Sequence, residues 1–320
     1  MSRNLLVIGG NGFIGSHVVR RAVSDGWSVT ILDSAAARST LGLASADTPE
    51  FRPADIGDKE SLTAALDGLR PDAAVSLAAY GLGADGLARG AAANPALAVR
   101  VNVEGLVNLV GALGDAGCGT LVHSSSSTVY AATGPDGVRE DAALHPDSVY
   151  GATKLAAEHV ARVLGGTCGI RVASARLPLV YGEGRWYGGS QDDLVRFADD
   201  LAHGEHSRLA GWTSAADWMY ATDAAGCLLA LAEAQRAVGS YNVSGHRSSL
   251  HQLAHALVEA TGSGDRATVE AAPDGGPSLP LMDTSRIADE LGYRPGVDTA
   301  ERGAALYAEA LARRDRRSHA

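Results

Sequence analysis

The stretch Asn4-Leu-Leu-Val-Ile-Gly-Gly-Asn-Gly-Phe-Ile-Gly15 decides the fold. Leu5, Leu6, Val7 and Ile8 form a continuous apolar run, the pattern of a strand buried on both faces of a parallel sheet. Gly9, Gly12 and Gly15 follow at a spacing of three, with Gly10 as a fourth glycine. Ser16 to Val23 then carries apolar residues at helical spacing. A strand, a glycine turn and a helix in that order aim backbone N–H groups and a positive helix end at a pyrophosphate. About twenty residues further on, the strand pattern Ser28–Asp33 ends in a carboxylate that can accept hydrogen bonds from an adenosine ribose. The same carboxylate repels a 2′-phosphate, so the pattern favours NAD over NADP.

The chain's 320 residues can bury one large core, or a core with a smaller appended lobe. A hydrophobic content of 46% with 20% charged residues describes a soluble globular protein. A net charge of −10 argues against nucleic acid or an anionic membrane surface as the main partner. Cys118, Cys168 and Cys227 are odd in number and form no C-x-x-C, so neither a disulfide framework nor a zinc site is expected. Each sits among small or apolar residues and is read as an inert buried thiol. No apolar run reaches membrane-spanning length, and the N-terminal run is broken by glycines with no cleavage region behind it. A cytoplasmic location is the expectation.

Strand and helix patterns alternate as far as residue 180, which implies a doubly wound parallel sheet of the Rossmann type. Lys59 to Leu69 reads as a helix with Asp58 or Ser61 at its start, and Ala73 to Ala79 as a buried strand. Residues 81–90 read as a glycine-rich loop, and Pro95 opens a long helix through Asn102 and Gly105 to Leu113. Thr120–Ser126 and Arg171–Leu177 are strands flanking a helix from Val149 to Leu164. From Tyr181 the rhythm breaks. The expected division is a nucleotide-binding domain over 1–180 and a smaller α/β lobe over 181–320, with some segments returning to the main sheet. A helix from Asp192 to Ala202 and a last helix from Thr299 to Arg313 belong to that second part.

The chemistry centres on Tyr150-Gly-Ala-Thr-Lys154 at a helix start. Residues four apart share a helix face, so the Tyr150 hydroxyl and the Lys154 ammonium lean into one site. A nearby ammonium stabilises phenolate and draws a tyrosine pKa from about 10 toward neutrality. Such a tyrosine takes a proton from a substrate hydroxyl while a hydride leaves the same carbon. Ser124-Ser-Ser-Ser-Thr128 ends a strand in the same half of the chain, where hydroxyls face the cofactor crevice. Ser126 is placed to hydrogen-bond the reacting oxygen.

These residues, in this order, make the chain resemble an extended short-chain dehydrogenase/reductase of the NAD-dependent epimerase/dehydratase family over nearly its whole length. Gly9 to Gly15, including Phe13 and Ile14, matches that family's glycine turn, and Asp33 its ribose ligand. Asp55-Ile56 matches the pair that holds the adenine, and Leu77-Ala78-Ala79 the strand end under the cofactor. Asn102-Val-Glu-Gly105 matches the N-V-x-G helix, and Ser124 to Tyr130 the serine strand. Tyr150 and Lys154 match the acid/base pair, which also contacts the cofactor, Lys154 as the anchor of its ribose, with Ser126 the expected catalytic hydroxyl. Arg176-Leu-Pro178 and Val180-Tyr-Gly182 match the strand entering the substrate lobe, and Asp217-Trp218 and Tyr241-Asn-Val243 are later landmarks. The resemblance implies NAD, a sugar-like substrate, and a homodimer through the Pro95 helix and the Tyr150 helix, whose Ala156, Ala157 and Ala161 permit close approach.

Four positions depart from the family pattern. Ser127-Thr128 stands where the dehydratases carry Asp-Glu, which argues against dehydration. Ala216 stands where nucleotide-sugar enzymes carry an arginine for the substrate diphosphate, which weakens a UDP-sugar reading. Ala131 replaces a glycine after Val129-Tyr130. Tyr80, Arg185, Trp186, Tyr187 and Arg247 are candidate substrate contacts. His123 reads as a hydrogen-bonded core histidine, no histidine joins a metal set, and no metal is expected. The leading expectation is an NAD-dependent dehydrogenase or epimerase acting on a secondary alcohol of a sugar, sugar acid or similar polyol. The alternative is a UDP-sugar 4-epimerase that finds its cation at Arg185 or Arg247. A third reading is a regulator that binds NAD without chemistry.

Overall fold

A computed structural model of the protein describes residues 3–34, 48–81, 86–131, 137–184, 191–272, 276 and 279–318, with side chains described as far as Arg313. Arg185, Trp186 and Tyr187 lie outside the described residues. In chain order the strands are β1 (Asn4–Ile8), β2 (Ser28–Asp33), β3 (Glu50–Pro53), β4 (Ala73–Ser76), β5 (Thr120–Ser126), β6 (Arg171–Leu177), β7 (Leu179–Tyr181), β8 (Ser207–Trp212), β9 (Ala216–Tyr220), β10 (Gly239–Asn242), β11 (His246–Ser248) and β12 (Ala267–Ala272). The helices are α1 (Phe13–Ser24), α2 (Lys59–Leu66), α3 (Gly86–Ala93), α4 (Pro95–Val99), α5 (Gly105–Asp115), α6 (Val149–Cys168), α7 (Asp192–Ala202), α8 (Ala221–Glu233), α9 (Leu250–Thr261), α10 (Ser285–Leu291) and α11 (Ala300–Ser318).

Among the described residues seven strands form one parallel sheet in the order β10-β6-β5-β4-β1-β2-β3. This is a doubly wound Rossmann sheet extended by one strand. β1 reads as an unbroken apolar run because both its faces are covered. Leu5 and Val7 pack with α1 and α8, while Leu6 and Ile8 pack with α2, α5 and α6. The last strand of the sheet comes from beyond residue 180: α8 lies on the same face as α1, and β10 pairs in parallel with β6.

The rest of the later chain builds a second layer. Half-buried Pro178 sits between β6 and β7, where the backbone leaves the main sheet. There β7, β9 and β11 pair, β8 pairs with β12, and α7, α9 and α11 close around Tyr181, Trp212 and Trp218. The two indole rings stack at 5.7 Å with an interplanar angle of 7°.

Several expectations need correction. Residues 86–93 form a helix, not a loop, because Leu87, Ala88, Arg89 and three consecutive alanines outweigh the cost of Gly90. The long helix opened by Pro95 is interrupted by a π-turn over Arg100–Glu104. The stretch Pro95–Asp115, at 21 residues, is long and apolar enough by length and composition to cross a membrane, contrary to the sequence reading. Here it lies against the sheet with Leu106, Leu109, Val110 and Leu113 buried, and it carries Arg100 and Glu104. Cys118 and Cys227 are buried as expected, but Cys168, the last residue of α6, is exposed. Ala157 and Ala161 are fully buried against the protein's own sheet, so they cannot lie on a dimer surface.

Candidate active site

The glycine turn is built by close approach. Gly9 adopts φ +79°, and a Cβ there would lie 3.0 Å from the backbone nitrogen of Ala78. A Cβ at Gly15 would lie 2.1 Å from the Gly9 carbonyl oxygen, so only glycine lets α1 start beneath the turn. Gly12 is the N-cap of α1 and supplies no side-chain hydrogen bond, whereas Asp58, Ser148 and Ser249 cap α2, α6 and α9 with theirs. The turn is a cradle that side chains would fill, and its shape and helix end suit a dinucleotide pyrophosphate. Phe13 is buried in the core and Ile14 is half-buried, so what they offer at the turn is backbone. Asp33 accepts the Asn11 N–H at 3.0 Å, which sets its carboxylate beside the turn.

Gly15→Ala should raise the dissociation constant for NAD by about tenfold or more, because overpacking of about 1–3 kcal/mol must be relieved by moving the turn. NADH fluorescence titration reads this directly, and an unchanged constant would mean that the turn does not contact the dinucleotide.

Exposed Asp55 holds its own loop, accepting the Gly57 N–H at 2.8 Å. Ile56 is 5% exposed, and its carbonyl accepts from Asn108 at 3.0 Å. A Cβ at Gly105 would lie 2.8 Å from the Ile56 side chain, which explains the glycine that ends the N-V-x-G pattern. Leu77, Ala78 and Ala79 continue β4 half-buried beyond its ladder, next to Gly9.

Asn102 sits in the π-turn, a feature that often marks functional segments of a helix. Its Oδ1 accepts the Tyr80 N–H at 2.7 Å and its Nδ2 donates to Thr153 Oγ1 at 2.9 Å. Thr153 in turn donates to the Tyr150 carbonyl at 2.8 Å. A buried chain of hydrogen bonds thus ties the end of β4 to the first turn of α6, and Asn102 spends its amide on the protein. The Tyr80 ring is buried beside Tyr150, with Ala91 and Ala98.

Tyr150 and Lys154 lie one turn apart on α6, capped by Ser148. The Lys154 Nζ donates to the Ser124 carbonyl at 2.8 Å and stands 5.7 Å from the centroid of the Tyr150 ring. Burial lowers the Lys154 pKa to about 8, against an opposing pull from Glu158. Ser126, at the end of β5, accepts from the Thr128 N–H at 3.3 Å and the Thr128 hydroxyl at 3.0 Å. Gly151 brings the helix to this strand end, since a Cβ there would lie 2.3 Å from the Thr128 carbonyl. Sequence reading passed over Gly151 and Thr153, although both lie inside the Tyr-x-x-x-Lys motif.

Beneath the site runs a buried polar network. Arg176 donates to both oxygens of Glu158, at 3.0 and 2.8 Å. Glu158 also accepts from Ser125 and, at 2.8 Å, from Ser240. Arg176 reaches Tyr130 as well, whose hydroxyl donates to Asn242 at 2.8 Å. Asn242 holds the carbonyls of Val138 and Asp283, at 2.8 and 3.2 Å. The Asp217 carboxylate accepts the Met282 N–H at 2.6 Å and Arg247 Nε at 3.0 Å. Two of the sequence landmarks, Asn242 and Asp217, therefore hold Met282 and Asp283 in place.

A Rossmann sheet with this glycine turn, and a Tyr-x-x-x-Lys helix beside a serine strand end, defines an NAD-dependent enzyme of the extended short-chain dehydrogenase/reductase type. The model of the NAD dependent epimerase/dehydratase family matches residues 5–244, and the chain belongs to that family. A UDP-glucose 4-epimerase of Azospirillum brasilense is 29% identical over 316 residues, covering 93% of this chain and 88% of the relative. The UDP-glucose 4-epimerase of Thermus thermophilus, solved in complex with NAD, superposes with a TM-score of 0.80 at 26% identity, covering 96% of this chain and 98% of that one. The dTDP-glucose 4,6-dehydratase of Streptomyces venezuelae, solved with NAD bound, gives 0.79 at 29% identity, covering 99% and 98%.

Proposed function

We propose that the protein oxidises or epimerises a secondary alcohol of a sugar, sugar acid or similar polyol that carries no nucleotide diphosphate, with Tyr150, Lys154 and Ser126 as its catalytic groups. The observation that carries this reading is the Tyr150–Lys154 pair on α6, drawn by the Lys154–Ser124 bond onto the strand end where Ser126 lies. Tyr150 takes the proton of the substrate hydroxyl. Lys154 remains an ammonium at neutral pH, with its pKa at about 8, and stabilises the phenolate. Ser126 accepts both bonds from Thr128, and its own proton is left for the substrate oxygen. Bound NAD supplies the hydride acceptor. The backbone of Gly9 to Gly15 would hold its pyrophosphate, Asp33 the adenosine ribose, Asp55 and Ile56 the adenine. Leu77, Ala78, Ala79, Ser124 and Pro178 would line the rest of its path, with Asn102 holding that wall from behind.

Two observations support a substrate without a diphosphate or a dehydration step. Ala216 is 1% exposed and brings no cation. Arg247, which pairs with Asp217 across the β9–β11 ladder next to Ala216, is engaged by the Asp217 carboxylate and by the Met282 carbonyl at 3.2 Å. Thr128 is bound to Ser126 and is no acid. A UDP-sugar 4-epimerase is the second reading. It is supported by the full-length likeness to solved 4-epimerases and by the 44% exposure of the Arg247 side chain.

The test is incubation with NAD and a panel of free sugars, sugar acids, polyols and UDP-sugars, following NADH and substrate together. Net NADH from a free sugar or polyol identifies a dehydrogenase, and conversion without NADH an epimerase. Turnover of UDP-sugars alone would overturn the first reading in favour of the second. A homodimer through the Pro95–Asp115 stretch and α6 belongs to the same reading, supported by exposed Val99 at the end of α4, Val107 on α5 and Val163 on α6. So does a reducing, cytoplasmic setting, supported by three free cysteines.

A further inference from the structure

His123 precedes Ser124, whose carbonyl holds the Lys154 ammonium. Along β5, alternate side chains face α6: Ser125 meets Glu158, and His123, two residues earlier, lies on the same face. Lys154 and Glu158 are one helical turn apart, so the strand pair His123/Ser125 runs beneath the helix pair Lys154/Glu158. His123 is 2% exposed, and neither ring nitrogen has a hydrogen-bond partner among the described residues. The expectation of a hydrogen-bonded core histidine therefore fails. A buried imidazole with two orphaned nitrogens is a costly choice for a core position that phenylalanine or leucine would fill.

We propose that His123 is a positioning residue for Lys154: a neutral imidazole whose lone pair, through one enclosed water, supports the ammonium and keeps it charged. The proposal rests on the catalytic reading of Tyr150 and Lys154 given above. The imidazole stays neutral because burial, and then the charge of Lys154, push its pKa well below the ordinary value. The titratable groups facing the pair from α6 are Tyr150 and Glu158, and from β6 comes Arg176, which neutralises Glu158. On either side of His123, β4 and β6 present the uncharged Ser76 and Ser174. Arg89, Arg100, Glu104 and Asp115, on the helices packed beside α6, are exposed. Among these groups Glu158 supports the ammonium from one side, and His123 supports it from the strand. Arginine could not replace lysine in this role, since its charge cannot be tuned near neutrality. Lys154 is one of only two lysines in a chain with 25 arginines.

That composition makes the test direct. Protein labelled with carbon-13 and nitrogen-15 in lysine gives signals from Lys59 and Lys154 alone, and exposed Lys59 serves as the internal reference. The pH titration of Lys154 is followed by NMR in the protein with and without NAD. In His123→Phe it should fall by about one unit, a tenfold change in acid constant, and His123→Gln should restore most of the loss. His123→Leu repeats the measurement if phenylalanine does not fit. An unchanged Lys154 titration in a folded apolar variant, whatever its Tm, would identify a packing residue and overturn the proposal. The titration is read on resting protein, so its failure is distinct from failure of the catalytic reading, which Tyr150→Phe turnover tests.

Discussion

Tyr150→Phe should lower turnover by about 10²- to 10⁴-fold, the usual worth of a positioned acid or base, while NAD affinity stays unchanged. The substitution removes one oxygen. The ring keeps its packing against Tyr80, Ala91 and Ala98, and the backbone carbonyl keeps the Thr153 hydrogen bond that anchors the first turn of α6. Lys154 also keeps its bond to the Ser124 carbonyl. What disappears is the group that takes the substrate proton, so the loss should fall on kcat and kcat/KM alike. Steady-state kinetics on the substrate found by the panel, beside an NADH fluorescence titration, separates the two quantities. Full turnover in the variant would remove Tyr150 from the reaction and favour a protein that binds NAD for another purpose.

The parts of this site visible in the sequence are those whose chemistry or backbone demands are local. Four glycines behind an apolar run require a turn, and the carboxylate at the end of β2 lies where a parallel sheet puts it. β2, β5, β6 and α7 have the bounds that their patterns imply. Less visible is whatever depends on partners distant in sequence. Glu158 and Arg176 read as ordinary helix and strand charges, yet they are 6% and 3% exposed and face one another. Asn102 matches a motif, but its role as a link between Tyr80 and Thr153 needs the π-turn, which has no pattern of its own. Arg247 carries a charge without showing that Asp217 engages it. The helix over 86–93 was hidden by its glycines, whose helix cost the surrounding alanines offset.

The second large effect expected is on stability. Arg176→Ala should cost about 3–5 kcal/mol, because it leaves the Glu158 carboxylate buried without its counter-charge. That is a large part of the roughly 5–15 kcal/mol that holds a typical domain folded. The pair is bidentate, and its remaining acceptor capacity is used by Ser125 and Ser240, so no water-exposed oxygen softens the loss. The double variant Glu158→Gln/Arg176→Met should recover much of the stability, since it removes both charges and the desolvation each requires. Urea unfolding of the wild type, Glu158→Gln, Arg176→Met and the double variant completes the cycle, with Arg176→Ala measured beside it, and a cost below about 1 kcal/mol for Arg176→Ala would mean that the pair is solvated. The cycle also bears on the chemistry. Ser125 lies between Ser124, which holds Lys154, and Ser126, and Glu158 favours the charged form of Lys154 from one turn along α6. The folded double variant should therefore keep NAD binding and lose activity at lower pH than the wild type, as the Lys154 ammonium gives up its proton earlier.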